Sequence, residues 1–323
     1  MLPFVRGLSV ATALLGLAPA ATAVSIDWTS VGNPGNAADS TGFGAVGYTY
    51  QIGTYEVTNA QYAEFLNAKA AADPLALYNT AMGGGSGGIT RTGVSGSFTY
   101  SAITGRGDMP VNRVSFYDAL RFANWLNNGQ GSGDTETGAY TLLGGTATPS
   151  NGTTVTRNGG ATIVLTSEDE WYKAAYYSAL TTSYFDYPAG SDTQTTCATP
   201  TATANRANCS NAVSNFTIKG SYTGSASPYG TFDQGGNINE WNEAIIGSFR
   251  GYRAGGFNAS PFALGAIFRL SLNPTENSDL VGFRVAMLPE PGTGVLLMMG
   301  LLGFASRRSA RDLAVECGDC ILH

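Results

Sequence analysis

Three helix starts are written into this chain in capping residues, and little else in it has helical periodicity. Thr58-Asn59 caps a run with Tyr62, Phe65 and Leu66 on one face, ending near Ala72-Asp-Pro74. Ser115-Phe-Tyr-Asp118 is a start of capping-box type; Leu120, Ala123 and Leu126 share a face, and Asn127-Asn-Gly129 stops the helix. Ser167-Glu-Asp-Glu170 is a full capping box, opening a helix with Trp171, Ala174 and Ala175. Between the helices stand short β-type runs, Tyr48 to Ile52, Thr162 to Leu165 and Gly282 to Ala286. The rest is glycine-, threonine- and serine-rich loop, as 43 glycines in 323 residues require. The expectation is an α+β fold with low regular secondary structure. It occupies one continuous region, residues 24–288, with no charged linker and no repeat.

Both ends carry addressing signals. Met1 to Arg6 is weakly basic, Leu8 to Ala18 is apolar, and Ala21-Thr-Ala23 supplies small residues for cleavage. Residues 1–23 therefore read as a signal peptide, with a mature start at Val24; the bland rival is a buried first helix. At the other end, Leu288-Pro-Glu-Pro291 leads into the apolar stretch Gly292 to Ala305, followed by Arg307, Arg308 and Arg311. That stretch spans about 21 Å as a helix, short of a hydrocarbon core of about 30 Å, with the arginines marking a cytoplasmic stop.

The order Pro-Glu-Pro, apolar helix, arginine cluster over residues 289–311 resembles the PEP-CTERM sorting signal. That resemblance implies a Gram-negative bacterium that makes exopolysaccharide, an exosortase as partner, and membrane anchoring through the short C-terminal transmembrane helix before processing. The tail, residues 312–323, is longer than such signals carry. Its Cys317 and Cys320 form a CxxC that reads first as part of a discarded tail and second as a redox or metal pair.

Only 12% of residues are charged, and 17 basic against 23 acidic residues give a net charge of -6. No basic footprint for nucleic acid exists. The single histidine is His323, the last residue, so residues 24–288 hold no Ser-His-Asp or Cys-His arrangement and no imidazole metal site.

Several ordered blocks bear a family resemblance. They are Ile52-Gly-Thr-Tyr-Glu-Val-Thr-Asn-Ala-Gln-Tyr62, Met109-Pro-Val-Asn-Arg-Val-Ser115 and Leu165-Thr-Ser-Glu-Asp-Glu-Trp171. They continue in Ser227-Pro-Tyr-Gly-Thr-Phe-Asp-Gln-Gly-Gly-Asn-Ile-Asn-Glu-Trp241, Arg253-Ala-Gly-Gly-Phe257 and Gly282-Phe-Arg-Val-Ala286. In order and spacing they resemble the formylglycine-generating enzyme, or sulfatase-modifying factor, family from about Tyr48 to Ala286. The resemblance implies a single loop-rich α+β domain, distantly C-type-lectin-like. It also implies an oxidase in which two cysteines, five apart, bind copper and exchange with a substrate thiol. Thiolates are both soft copper ligands and nucleophiles. Counting back from Phe268-Arg269 puts Ser260 and Gly265 at those positions; counting forward from Arg253 puts Ala259 and Leu264 there. Either way sulfur is absent, so copper is not expected, and neither is formylglycine formation by that mechanism. The lack of histidine likewise excludes the three-histidine iron chemistry of the related sulfoxide synthases.

Two further sites remain. Cys197 and Cys209, twelve apart in an exported chain, read as a structural disulfide; the rival is a reactive thiol or metal pair. The block Gly235 to Trp241 offers Asn and Glu oxygens and carbonyls near glycines, the hard donors calcium uses. By resemblance it is a structural calcium site with Asn237, Glu240 and the Ile238 carbonyl as ligands, and Asn208 at a second site. The bland reading makes Asn237 a turn residue and Glu240 a surface charge. Asn239 replaces a tryptophan usual in the family. Gly83-Gly-Gly-Ser-Gly-Gly88 lacks the Lys-Ser/Thr of a phosphate cradle and reads as a flexible surface loop. Trp125, Trp171 and Trp241 read first as core.

The functional expectation is an exported, envelope- or exopolysaccharide-associated module that binds a protein or glycan and is not a catalyst. The alternative is an enzyme of the same superfamily with altered, nonheme-metal or unrecognised chemistry.

Overall fold

The computed structural model describes residues 23–290. The expected signal peptide, apart from its last residue, and everything from residue 291 onward, with all but the first two residues of the sorting signal and the whole tail, lie outside the described residues.

The chain runs β1 (Trp28–Val31), β2 (Tyr50–Gly53), α1 (Asn59–Lys69), β3 (Ile89–Thr92), β4 (Thr99–Ala102) and α2 (Phe116–Asn127). There follow β5 (Ile163–Leu165), α3 (Glu168–Tyr176) and two-residue strands β6 (Tyr177–Ser178), β7 (Ser183–Tyr184), β8 (Thr196–Cys197) and β9 (Arg206–Ala207). The end is all strand: β10 (Asn239–Ile246), β11 (Phe249–Arg253), β12 (Leu270–Leu272), β13 (Val281–Phe283) and β14 (Val285–Met287). The architecture is mixed α+β, loop-rich and single-domain, as expected.

All three helices begin at capping boxes. Thr58 Oγ1 accepts from the Gln61 amide while Gln61 Oε1 accepts from the Thr58 amide, and Ser115 with Asp118 and Ser167 with Glu170 repeat the reciprocal pair. Each box satisfies donors that a helix start leaves open. α1 and α2 then bury an aromatic cluster: Phe65 and Phe122 meet edge-on at 5.4 Å between ring centroids, and Phe122 meets Phe283 at 5.3 Å. Trp125, Trp171 and Trp241 are all buried in the core.

Two four-stranded sheets flank this core, in the orders β1-β2-β14-β5 and β12-β11-β10-β13. The run Gly282 to Ala286 is not one strand. β13 pairs in parallel with β10, Glu240 opposite Gly282, whereas β14 pairs antiparallel with β2 and β5 in the other sheet. The chain changes sheets at Arg284, whose side chain is fully buried. Gly282 is demanded by packing, because a Cβ there would lie 2.4 Å from the Val111 carbonyl oxygen.

The glycine run at 83–88 lies at the surface over Gly83 to Gly85, as expected of a surface loop, but its far end is packed. Gly87 and Gly88 are buried, and a Cβ on Gly88 would overlap the Asn59 side-chain amide at 2.1 Å. Arg106 Nη1 donates to the Gly85 carbonyl at 2.7 Å and also to that of Gly87, which pins the run in place. Among the described residues no helix is long and apolar enough to cross a membrane.

Candidate functional site

The stretch from Ser227 to Trp241 folds as a polar turn feeding a buried strand. The Ser227 amide donates to the Thr231 carbonyl at 2.8 Å, and the Ser227 and Thr231 hydroxyls share a hydrogen bond of 2.6 Å. Asp233 and Asn237 both hold left-handed backbone angles, φ 61° and 59°, which Asn and Asp tolerate best among residues with a Cβ. Between them Gly236 passes so close to Asn208 that a Cβ would sit 2.6 Å from its carbonyl oxygen. Only glycine allows this approach.

Asn237 ties four segments together. Its amide donates to the Asn208 carbonyl at 2.9 Å, and its Oδ1 accepts from the Thr217 amide at 2.9 Å and hydroxyl at 3.2 Å. Its Nδ2 donates to Glu56 Oε1 at 3.1 Å. Glu56 is buried and its Oε2 has no partner; burial, then the nearby Asp233 charge, push its carboxyl well above the usual range. Glu240 is fully buried and takes three charge-assisted or neutral donors. Arg284 Nε and Nη2 reach its two oxygens at 2.5 and 2.6 Å, and Trp171 Nε1 donates to Oε2 at 2.7 Å.

Calcium does not fit Asn237 and Glu240 as ligands here. The Asn237 acceptor is filled by Thr217, and both Glu240 oxygens are held by a guanidinium whose positive charge a cation would have to displace. Ile238, whose carbonyl was the third expected donor, follows Asn237 directly in the chain and has its side chain fully buried. Asn208 differs, since its Oδ1 is buried without a partner while its Nδ2 donates to the Asn215 carbonyl. Among the described residues no group of three or more His, Cys, Asp or Glu side chains is arranged to hold a metal ion.

Cys197 and Cys209 are joined as a disulfide, with Cα atoms 4.9 Å apart. Cys209 is fully buried against Ala207 and Leu264, with Tyr187 packed beside them. The segment beyond the bridge zips onto the next block: the Ser210 amide donates to the Ala259 carbonyl at 2.8 Å and the Asn211 amide to the Phe257 carbonyl at 2.9 Å. That block leads into a single 3-10 turn, Pro261–Leu264, with Ser260 at its start and Gly265 just past its end. Ser260 is exposed and its hydroxyl makes no capping bond; Gly265 is buried in ordinary extended backbone, φ -74°. Leu264, the alternative position, is a core side chain.

Ser227 to Trp241, the Arg253 block and the split Gly-Phe-Arg run thus converge in space, through Asn237, Phe257 and Arg284. Residues 45–288 match the sulfatase-modifying factor enzyme 1-like domain family. The chain belongs to that family. No curated protein sequence matches the chain. Among solved structures, this sulfatase-modifying-factor-type domain is similar to CarF, at 21% identity and a TM-score of 0.56 over 82% of this chain and 99% of that one. Treponema denticola variable protein 1 aligns at 18% identity, TM-score 0.48, over 82% and 96% of the two chains. PvdO from Pseudomonas aeruginosa aligns at 16% identity, TM-score 0.44, over 82% and 92%. The CarF likeness is one of fold.

Reasoning on sequence missed two groups in this region. Asp233 stands inside the family block, and Arg206 lies two residues before Asn208; both line one open cleft. The available signal was Asp233 itself, an acidic residue in a turn between glycines and aromatics.

Proposed function

We propose that this chain is an exported protein of the cell envelope or exopolysaccharide, whose domain binds a protein or glycan and performs no copper-thiolate oxidation. One observation carries the reading. The turn bearing Ser260 and Gly265, the positions where the family's resemblance implies its cysteine pair, has no sulfur, and the nearest cysteines are tied up in the Cys197–Cys209 bridge. A serine hydroxyl is a hard, weakly acidic group and does not replace a copper thiolate. Histidine chemistry offers no substitute, since the only histidine of the chain is His323.

Export and envelope association rest on the sequence of residues 1–23 and 289–311, with an exosortase as the processing partner. A binding role is supported by what the fold leaves at the surface here, where Phe262 in the turn and Ile267 just past it are exposed. Screening the purified full chain against glycan and envelope-protein arrays tests the reading. A reproducible ligand supports it, and a chain that binds nothing on either array counts against it.

A further inference from the structure

One four-residue pattern stands twice in the chain, as Ala147-Thr148-Pro149-Ser150 and as Ala198-Thr199-Pro200-Thr201. The first lies in the connection between α2 and β5, the second in the connection between β8 and β9. The stretches around them, residues 142–156 and 193–205, contain no charged side chain, and the second holds six threonines in thirteen residues. Threonine-rich chain with proline builds no core of its own, and it is the composition of segments that carry O-linked sugar.

The fold presents both patterns in the same way. In the first, Arg121 is fully buried in α2 and donates through Nη1 to the Ala147 carbonyl at 3.0 Å and through Nη2 to the Thr146 carbonyl at 2.7 Å. In the second, the buried Tyr222 donates its hydroxyl to the Ala198 carbonyl at 2.7 Å, and the Ala198 amide donates to the Ala207 carbonyl at 3.0 Å. The Cys197–Cys209 bridge closes this second loop directly before Ala198. Each alanine is thus tied down from inside the domain, and the threonine after it is exposed. The proline that follows restricts the backbone of that threonine. Neighbouring hydroxyls are engaged. Thr146 and Ser150 donate to the Thr148 and Leu143 carbonyls, at 2.7 and 3.4 Å, and Thr201 donates to the Thr203 hydroxyl at 3.2 Å. The Thr148 and Thr199 hydroxyls have no hydrogen-bond partner among the described residues.

An exposed hydroxyl on an anchored backbone can accept a group from another enzyme. It does not act as a nucleophile unaided, because residues 24–288 hold no histidine to activate it. Sugar suits these surroundings better than phosphate. A phosphoryl group brings a charge of about -1.5 to -2 and calls for arginine. Arg121, the cation at the first loop, is spent on Glu136 and the loop carbonyls. A neutral sugar asks for no counter-charge. We propose that Thr148 and Thr199 are O-glycosylation acceptors. In the transfer, the threonine oxygen bonds to the anomeric carbon of a phosphate-linked sugar donor. The bond from that carbon to the phosphate oxygen breaks, the phosphate leaves with the electron pair, and the hydroxyl proton passes to the transferase's base. The proposal rests on reading the chain as exported to the envelope or exopolysaccharide, and adds covalent glycan at two named positions.

Peptide mass spectrometry of the full chain, recovered from the cells that make it, tests this. Peptides bearing Thr148 and Thr199 should carry added sugar residues that base-catalysed β-elimination removes. Thr153 and Thr196 are exposed threonines without a following proline, and they should stay bare. Thr148→Val and Thr199→Val should each lose the sugar at its own position only, and the double variant should lose both. An unchanged melting temperature shows that the variants are folded. The proposal is overturned if Thr148 and Thr199 are bare, if Thr153 and Thr196 carry sugar as often, or if the added group is phosphate. The N-terminal peptide in the same spectra separates the two readings. A chain that starts at Val24 with both threonines bare overturns the acceptor sites and leaves export standing. A chain that keeps residues 1–23 contradicts export, whatever its threonines carry.

Discussion

Arg284 and Glu240 form an ion pair in which neither side chain is exposed, with Nε 2.5 Å from Oε2. Glu240 lies on β10 and Arg284 stands where the chain leaves β13 for β14, so the pair sits at the junction of the two sheets. Arg284 also donates to the carbonyls of Gly53 and Phe232, at 2.9 and 3.0 Å, and Trp171 brings α3 to the same carboxylate. Desolvation makes such a pair a weak source of net stability, yet removing one partner strands the other in the core.

Glu240→Gln should therefore destabilise the domain by about 3–5 kcal/mol, read by denaturant unfolding. The double variant Glu240→Gln with Arg284→Met should lose much less than the sum of the single losses. Additive losses would mean that the two side chains act independently.

Chelation provides a separate check on the same carboxylate. With both Glu240 oxygens held by Arg284, a strong calcium chelator should leave the melting temperature unchanged. A clear fall on chelation, restored by calcium, would show that the cation competes for these oxygens.

The disulfide predicts a thiol count and a stability change. Alkylation of the unfolded chain without reductant should label neither Cys197 nor Cys209. Replacing both by serine should cost about 3 kcal/mol in the loop-entropy account. Labelling of Cys209 in unreduced protein would instead favour the reactive-thiol reading.

Glu243 gives a pH dependence with a definite sign. Burial, and then the nearby Glu170 charge, push its carboxyl up to about 7 even though Arg157 Nε lies 2.7 Å away. The folded state thus holds this proton more tightly than the unfolded chain, whose glutamates titrate near about 4.3. The stability it contributes is full below about pH 4.3 and is lost as pH rises to about 7, by on the order of 1–3 kcal/mol. Glu170 acts oppositely: its carboxyl is lowered, against burial, by Arg157, so its share is lost as pH falls. Glu243→Gln keeps an acceptor for Tyr140, which donates to Glu243, and should flatten the parent's decline between pH 5 and 7. Identical pH profiles for parent and variant would refute the assignment.

How far the sequence could be read depended on how local each cause is. All three helices were legible, because a capping box and an apolar stripe lie within a few residues, as at Ser167 and Glu170. The break at Arg284 was not, because it depends on a carboxylate 44 residues away and on two sheets competing for neighbouring strands. The same limit applied to Glu240. Read alone between two asparagines and a tryptophan it resembles an oxygen ligand, and only the folded chain brings Arg284 and Trp171 to it. Of the candidate site, the missing cysteines at Ser260 and Gly265 were legible by position. The convergence of Arg206 and Asp233 on one cleft was not, because they stand 27 positions apart and the chain between them carries no periodic signal.

The turn's backbone permits the lost sulfurs to be restored with a small adjustment at Phe262. Gly265 has an ordinary extended backbone, and a Cβ there would meet only the Phe262 carbonyl oxygen closely, at 3.3 Å. Ser260→Cys with Gly265→Cys should therefore fold and gain copper(I) binding that the parent lacks, measured by competition with a chromogenic copper(I) chelator. Equal copper binding by parent and variant would show that the thiol positions are not what distinguishes them.

The central claim, that this family member does not oxidise cysteine by copper-thiolate chemistry, meets its most direct test in one assay. The purified full chain is incubated with copper, oxygen and a cysteine-containing sulfatase peptide, and aldehyde is measured by mass spectrometry. The account predicts an intact peptide with no aldehyde. Aldehyde whose formation is abolished by Ser260→Ala or Cys209→Ser would contradict it.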